Sequence, residues 1–279
     1  MIGHVGVCSW SLGAGSPEEL AQSLVSVGAR GVQLALDPIR TGAWSLERTG
    51  RALDEAGVKV LSGMMATEGE DYSTLETIRQ TGGVRPDQHW EANQQIAEED
   101  AKIASELGLG LVTFHAGFLP HDPGDSERAV LLERLRRIID VFGARDIRVG
   151  FETGQETVET LDGAMTELDR SSAGVNFDPA NMILYGMGDP GVAVRALGPW
   201  IVQAHVKDAV PTQVPGTWGS EVVAGTGAVD WDVFFKTLSG LDQRVDVLVE
   251  REAGATRIAD IRAGLALIAE HGGEGADRE

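Results

Sequence analysis

Two short apolar runs between residues 149 and 181 each end in an acid, and they flank a helix-like segment. The first run ends at Glu152 and the second at Asp178. A strand, a helix and a second strand in this order form a parallel pair, because the helix returns the chain to the same edge of the sheet. Since α/β enzymes build their sites at the C-terminal ends of such strands, both acids are expected at one site.

The same alternation of strand and helix extends along the chain, with cap signals such as Ser16-Pro17 before the first helix and Gly28 after it. The apolar runs predicted as strands are residues 5–8, 31–36, 58–61, 111–115, 149–152, 174–178, 201–205 and 245–250. These units predict an α/β fold, a single-domain (β/α)₈ TIM barrel at residues 1–271 with a flexible C-terminal tail at residues 272–279. A doubly wound open sheet is the alternative, although no Gly-x-Gly-x-x-Gly turn follows the first run.

Two long polar segments interrupt the alternation, at residues 64–88 and 211–227. The first is too long for an ordinary connection, so it is predicted to be a lid or a wall of a site. The second is rich in proline and glycine, follows the seventh run, and contains Trp218 and Glu221.

Composition excludes several classes of function. The net charge of −20 argues against a nucleic-acid partner, because phosphate binding needs a basic surface. A lone cysteine, Cys8, forms no intrachain disulfide, which favours a reducing compartment. No membrane-length apolar run and no secretory start are present, so a cytoplasmic protein that binds no membrane is expected.

Four polar side chains end the later strand units: Glu152, Asp178, His205 and Glu250. In a barrel they converge on one mouth, and three carboxylates with one imidazole suit a divalent cation. Mn²⁺ and Mg²⁺ are the first choices, with Co²⁺ and Zn²⁺ as alternatives. Any one acid at a strand end is more often a helix cap or an ion-pair partner. Four such residues at equivalent places weaken that interpretation.

Further side chains are candidates for substrate binding, each with a plainer alternative. Lys207 shares the inward phase of His205 and is expected to hold a substrate oxygen. His115 ends the fourth strand, where it either lies in the site or bonds to backbone. Trp10 either walls a sugar pocket or plugs the end of the barrel. Trp218 either stacks on a sugar or anchors its loop, and nearby Glu221 is placed over the mouth with it.

Four segments carry a resemblance to a known family: Phe151–Glu156, Asn176–Asn181, His205–Asp208 and Glu250–Glu252. In this order they resemble the xylose isomerase-like TIM-barrel superfamily, and the chain is most similar to its sugar phosphate isomerase/epimerase branch. The resemblance covers nearly the whole chain. Its Asp-Pro-Ala-Asn and His-Val-Lys-Asp motifs are fairly specific for the superfamily and weakly specific for any substrate.

The resemblance implies a divalent-metal-dependent sugar isomerase/epimerase whose partner is a small-molecule sugar, a ketose or keto-sugar. It implies one metal ion with the ligands Glu152, Asp178, His205 and Glu250. Glu152 and Glu250 are then the catalytic residues, which remove and return a proton through a metal-bound enediolate. Barrels of this kind often pair, so a homo-oligomer is left open.

Three positions depart from the ketose 3-epimerases that the chain resembles. Those enzymes have a histidine where this chain has Asn181, an arginine where it has Pro211, and a glutamate where it has Val158. The metal framework is therefore kept while the contacts to substrate differ. Asn181 is accordingly a candidate substrate-binding residue of this chain.

Three other functions are compatible with the sequence. A metal-dependent lyase would use the same site for β-elimination from a 3-keto glycoside. A non-catalytic sugar-binding barrel would keep only the fold. An apurinic-site endonuclease ranks lower, because that branch uses several more histidines for three zinc ions and this chain is strongly acidic.

Overall fold

Eight parallel strands close on themselves at the centre of the computed structural model, which describes residues 1–272. The barrel strands are β1 (Ile2–Cys8), β2 (Gly31–Ala35), β3 (Lys59–Met64), β4 (Leu111–Phe114), β5 (Arg148–Glu152), β6 (Ala173–Phe177), β7 (Ile201–Val206) and β10 (Val245–Val249). Two further strands, β8 (Asp208–Val210) and β9 (Ser220–Val222), form a separate antiparallel pair. Neighbours around the barrel follow the order β1-β10-β7-β6-β5-β4-β3-β2, and β1 pairs with both β10 and β2. The predicted (β/α)₈ barrel is confirmed, and the open sheet is excluded.

Helices surround the barrel and bury its outer face. They are α1 (Pro17–Val27), α2 (Asp37–Arg40), α3 (Leu46–Glu55), α4 (Leu75–Thr81), α5 (Asp87–Glu106), α6 (Ser126–Gly143), α7 (Val158–Leu168), α8 (Pro179–Tyr185), α9 (Pro190–Ala196), α10 (Trp231–Ser239) and α11 (Arg257–Glu270). Local chemistry sets their ends: the hydroxyl of Ser16 accepts from the backbone N–H of Glu19, and Gly28 ends α1 with a φ of 82°. Buried aliphatic and aromatic side chains of strands and helices form one continuous core.

Three short elements lie where the sequence predicts only connections. Helix α4 falls within the long segment 64–88 and begins at the capping box of Thr74 and Thr77. Helix α8 follows β6 directly, because the Asp178 carboxylate caps it and Pro179 fits its first turn. Strand β9 lies in the 211–227 loop and pairs antiparallel with β8. Such short elements depend on contacts that a local pattern does not encode.

The boundaries of β3 are also corrected. The run predicted at residues 58–61 is a strand that continues to Met64, so the following segment begins at the mouth of the barrel. The predicted tail at residues 272–279 lies outside the described residues except for its first position. Within residues 1–272, no helix combines the length and apolarity needed to cross a bilayer.

Candidate metal centre and active site

A cavity of about 570 Å³ opens at the C-terminal ends of the barrel strands. Its volume falls in the range of small-molecule sites. The side chains around it are Trp10, Ala35, Asp37, Met64, Met65, Ala66, Glu70, Tyr72, His115, Glu152, Asn181, Leu184, Tyr185, Lys207, Trp218, Glu221, Glu250, Glu252 and Ala253. The predicted substrate-binding residues therefore all line this cavity, although their contacts with a substrate remain predictions.

The four predicted metal ligands meet at the floor of this cavity. Each of Glu152, Asp178, His205 and Glu250 offers one donor atom, and these atoms all lie within 4.8 Å of one another. The Nδ1 atom of His205 is 3.6 Å from Glu152 Oε1, 3.6 Å from Asp178 Oδ2 and 3.4 Å from Glu250 Oε2. The barrel order places the acids around the imidazole, since β5, β6 and β10 all lie within two strands of β7.

Two buried atoms in this group test whether a cation fits. Asp178 Oδ2 and His205 Nδ1 are both buried and find no hydrogen-bond partner among residues 1–272. An unpaired buried polar atom is costly, so two of them turned toward one point indicate a missing partner. A cation accepts lone pairs from carboxylate oxygen and imidazole nitrogen alike, which fits this donor set.

Local structure fixes Asp178 so that only one of its oxygens remains free. Its Oδ1 accepts the backbone N–H groups of Ala180 at 2.8 Å and Asn181 at 3.0 Å, which are the first turn of α8. The backbone N–H of Asp178 donates to Thr153 Oγ1 at 2.7 Å, and that hydroxyl donates to the Asp178 carbonyl at 2.9 Å. The ends of β5 and β6 are thus locked together, with Oδ2 directed into the cage.

The far side of the imidazole faces a buried polar network that sequence reasoning missed. Nε2 of His205 is 2.8 Å from Gln33 Oε1, an acceptor, and 3.1 Å from the amide nitrogen of Asn176. The shorter contact favours a proton on Nε2, so Nδ1 is the nitrogen that would bind a cation. Gln33 in turn donates to Thr113 Oγ1 at 2.6 Å. Asn176 donates to Glu152 Oε2 at 3.2 Å and accepts from Gln203.

Lys207 provides the positive charge beside the cage. Its Nζ donates to Glu250 Oε2 at 2.9 Å, to Glu252 Oε2 at 2.5 Å and to Asn181 Oδ1 at 3.3 Å. The amide of Asn181 donates to Glu152 Oε1 at 2.9 Å. Asn181 therefore bridges the ammonium group and a metal-ligand carboxylate, in the place where the resembling epimerases have histidine.

Burial and charge shift the pKa values of these groups in opposite directions. Burial raises the pKa of Asp178 to about 6, against the opposing charge of Lys207. Burial also favours the protonated form of Glu250, but Lys207 and His205 outweigh it and hold the pKa of Glu250 well below its usual range. Burial disfavours the ammonium form of Lys207, yet Glu250 and Glu252 raise its pKa well above normal. The ionised state of the acids at the mouth therefore depends on nearby positive charge.

The remaining predicted residues differ in how free they are to meet a substrate. His115 Nε2 lies 3.9 Å from Glu152 Oε1. The indole N–H of Trp10 donates to Glu250 Oε1 at 2.7 Å, so its ring lines the cavity in a fixed orientation. The carboxylate of Glu221 accepts from Arg251 at 2.8 Å and from the backbone N–H groups of Glu252 and Ala253. Those contacts tie the β8–β9 hairpin to the loop after β10.

The segment after β3 contributes to the cavity residues that the sequence did not single out. Tyr72 and Glu70 line the cavity, and the phenol donates to Glu70 Oε2 at 3.1 Å. Tyr185, from the end of α8, lies against Trp218 with ring centroids 4.7 Å apart. For Tyr72 and Glu70, the sequence offers one indication of a place in the site, the length of segment 64–88, and that length does not single out individual residues.

Solved structures share this architecture. A xylose isomerase domain protein from Planctomyces limnophilus is 26% identical, with a TM-score of 0.83 over 96% of this chain and 95% of that one. The probable 3-DHS dehydratase AsbF of petrobactin synthesis from Bacillus anthracis is 16% identical, with a TM-score of 0.74 over 96% and 99%. A D-psicose 3-epimerase determined with D-fructose is 13% identical, with a TM-score of 0.72 over 97% and 100%.

A comparison with curated proteins finds no match. A family model described as xylose isomerase-like TIM barrel matches residues 21–271, which span most of the sequence and all four cage residues. The chain therefore belongs to the xylose isomerase-like TIM barrel family.

Proposed function

We propose that this protein is a divalent-metal-dependent sugar isomerase/epimerase that acts on a ketose or keto-sugar by proton transfer. The observation that carries the proposal is the four-ligand cage, with Asp178 Oδ2 and His205 Nδ1 buried and unpaired among the described residues at the floor of a mouth-side cavity. Similarity to sugar epimerases and to a dehydratase supports an enzyme that moves a proton next to a carbonyl.

The residues present suit a bound Mn²⁺ or Mg²⁺. When bound, such an ion polarises the substrate carbonyl and acidifies the neighbouring C–H bond. Glu152, Asp178, His205 and Glu250 would hold it. The Nε2–H group of His205 is held by Gln33, which keeps the imidazole in the tautomer that leaves Nδ1 free.

Glu152 and Glu250 are the acid–base pair of the proposal. The strands that carry them, β5 and β10, are separated by β6 and β7 in the barrel order, so the two carboxylates approach the cage from different sides. One carboxylate, ionised, takes the proton from the acidified carbon as the C–H electron pair forms the enediolate double bond and the carbonyl π pair moves to its oxygen. The other, which enters this step protonated, delivers its proton to the opposite face of that carbon as the carbonyl re-forms, which inverts the carbon; exchange with solvent then returns both carboxyl groups to their starting states.

Lys207 and Asn181 orient this pair. The ammonium group contacts Glu250, and the amide contacts both Lys207 and Glu152. A fixed hydrogen-bond network of this kind holds the carboxylates at the distance that proton transfer needs. Lys207 also places positive charge where an enediolate oxygen would develop negative charge.

The charge of the cavity wall supports an uncharged substrate. Six carboxylates line it: Asp37, Glu70, Glu152, Glu221, Glu250 and Glu252. Lys207 is its lysine, already in contact with two of those acids, and no arginine from residues 1–272 lines it. A phosphorylated sugar would add negative charge to this field, where the Lys207 ammonium is already engaged by Glu250 and Glu252.

Hydrogen–deuterium exchange tests the proposal. Protein loaded with Mn²⁺ is incubated in D₂O with a panel of free ketoses and 3-keto sugars, and deuterium at carbon is read by mass spectrometry. We expect exchange with at least one compound, and a loss of at least about 100-fold in Glu152→Gln and Glu250→Gln. The exposed Glu159→Gln is the matched control. No exchange across the panel would refute proton-transfer chemistry.

A lyase reaction is the second candidate, favoured by the position of Lys207. β-Elimination from a 3-keto glycoside needs a base for the C–H proton and a donor for the departing oxygen. Glu152 or Glu250 takes the proton, the C–O bond breaks as the C=C bond forms, and the Lys207 ammonium protonates the leaving alkoxide. The ammonium lies 2.9 Å from Glu250. Epimerisation keeps the substrate mass, whereas elimination yields an enone and a free alcohol.

A further inference from the structure

Apolar and aromatic side chains form the part of the cavity wall that the cage does not occupy. The aromatic members are Trp10, Tyr72, Tyr185 and Trp218, and the aliphatic members include Met64, Met65 and Leu184. The polar groups are concentrated around the cage, where Glu152, Lys207 and Glu250 contact one another or Asn181. The site therefore combines a charged floor with a wall in which aromatic and aliphatic side chains lie beside Asp37, Glu70 and Glu221.

Trp218 and Tyr185 make up one side of the apolar wall. Their rings meet edge to face, with centroids 4.7 Å apart and an interplanar angle of 70°. The hairpin position is fixed next to Trp218, since the backbone N–H of Gly219 donates to the Leu184 carbonyl at 3.1 Å. The pair is thus preassembled against α8, which reduces the entropy cost of binding a flat group.

Tyr72 lines a different side of the cavity from that pair. It lies on the segment after β3 and packs on His115 at the end of β4, whereas Trp218 lies on the hairpin after β7, three places from β4 in the ring of eight. The Tyr72 ring packs edge to face on His115, with centroids 6.2 Å apart, and its hydroxyl donates to Glu70. Even so, Tyr72 as a whole is 44% exposed and lines the cavity, so part of it remains accessible to a ligand.

A small polyol could hydrogen-bond to the polar groups at the floor, but it would leave the apolar side chains of the wall in contact with water. Open apolar surface of this kind at a site commonly marks a ligand group that covers it. Building on the proposed function, we infer that the substrate is a keto-sugar that carries an aryl or similarly flat apolar substituent. The sugar ring lies at the cage, and the substituent is seated between Tyr72 and the Tyr185–Trp218 pair.

Paired ligands test this subsite by direct binding. The full-length chain, loaded with Mn²⁺, is titrated calorimetrically with phenyl and methyl 3-keto-glucopyranosides, each as both anomers. We expect the better phenyl anomer to bind at least about tenfold more tightly than its methyl counterpart, which corresponds to about 1.4 kcal/mol. Equal affinity, a preference for methyl, or no binding of either compound would overturn the inference.

Two alanine variants test whether the aromatic side chains of the wall cause the preference for phenyl over methyl. The ratio of the phenyl to the methyl association constant should fall at least about threefold in Trp218→Ala and in Tyr72→Ala, because each removes an aromatic contact. Trp44→Phe is the control, since Trp44 donates to the Gly15 carbonyl and does not line the cavity. A ratio that stays at the wild-type value in both alanine variants would place the aryl group elsewhere and refute the subsite.

The proposed subsite and the proposed reaction can be refuted independently of each other. A phenyl preference without deuterium exchange on any compound would keep the subsite and refute the proposed chemistry. Exchange on free ketoses without a phenyl preference would keep the chemistry and refute the subsite. Because binding is measured by heat and exchange by mass, neither result depends on the other.

Discussion

Gln33 Oε1 and His205 Nε2 lie 2.8 Å apart, on the side of the imidazole that faces away from the carboxylates. The Gln33 amide also donates to Thr113, so its oxygen has a fixed direction. We expect Gln33→Met to weaken Mn²⁺ binding by about 10–100-fold, because the imidazole loses the partner that sets its tautomer. Calorimetric titration of metal-free protein with Mn²⁺ measures this effect.

The variant Gln33→Glu serves as the conservative comparison. It keeps an oxygen acceptor opposite Nε2, so its affinity for Mn²⁺ should stay far above that of Gln33→Met. Unfolding midpoints of both variants control for damage to the barrel. If the two variants bind Mn²⁺ equally weakly at equal stability, Gln33 does not act through its oxygen.

The sequence predicted the barrel and the cage because both follow from local rules. Period-two alternation places Gln203, His205 and Lys207 on one side of β7, and all three are buried. A polar residue in the middle of a buried apolar strand indicates a buried hydrogen-bond network. Gln33 and Asn176 are two such residues, and both belong to the network beneath the imidazole.

The rest of the site depends on contacts that no local pattern encodes. Tyr72 enters the cavity because a long segment after β3 folds back, with Glu70 Oε1 accepting from the backbone N–H of Gly83 at 2.9 Å. Trp218 is placed by the pairing of β8 and β9 and by its packing on Tyr185. Glu221 lies at the mouth, as the sequence predicts, but its contact with Arg251 joins two distant parts of the chain and follows from no local pattern.

Metal loading should stabilise the fold. The cage holds three acids close together, with Asp178 Oδ2 and His205 Nδ1 unpaired among residues 1–272. At a Mn²⁺ concentration about 100 times the dissociation constant, we expect about 2.7 kcal/mol of added stability. Thermal unfolding of chelator-treated protein with and without Mn²⁺ measures it. Asp178→Asn should lose most of the response, and a full response in that variant would place the ion elsewhere.

Asn181 and Lys207 should act as a coupled pair. Asn181→Ala removes the donor to Glu152 and the acceptor for Lys207, and a hydrogen bond to a charged group contributes about 1.5–3 kcal/mol. We expect deuterium exchange to slow by about 10–100-fold. The double variant with Lys207→Met should show a coupling of at least about 0.5 kcal/mol in the exchange rate. Strictly additive effects would argue against the bridge.

Free sugars should be preferred over their phosphate esters. Asp37, Glu70 and Glu252 lie at the cavity wall, where a phosphate would be repelled. For any ketose that exchanges, we expect the rate constant kcat/KM of its phosphate ester to be at least about 100-fold lower, equivalent to about 2.7 kcal/mol. Paired exchange assays at low ionic strength measure the ratio. An ester that exchanges as fast as the free sugar would contradict the charge argument.

Asp100 should make stability depend on pH away from the cage. It is fully buried on α5, its Oδ1 lies 3.5 Å from Arg40 Nε, and neither oxygen finds a hydrogen-bond partner among residues 1–272. Burial raises the pKa of Asp100 to about 8, with Arg40 opposing the rise. From its unfolded value near pH 4 up to about pH 8, the folded chain therefore binds one more proton than the unfolded chain.

The sign of the effect follows from that extra proton. Stability should fall as pH rises through this window, by about 1.4 kcal/mol per pH unit from this group alone. Asp100→Asn removes the titration, so its free energy of unfolding relative to wild type should increase by roughly 2–4 kcal/mol between pH 5 and pH 8. Urea unfolding at both pH values measures the difference, with the exposed neighbour Glu98→Gln as control. A difference that does not change with pH would show that Asp100 is ionised in the fold.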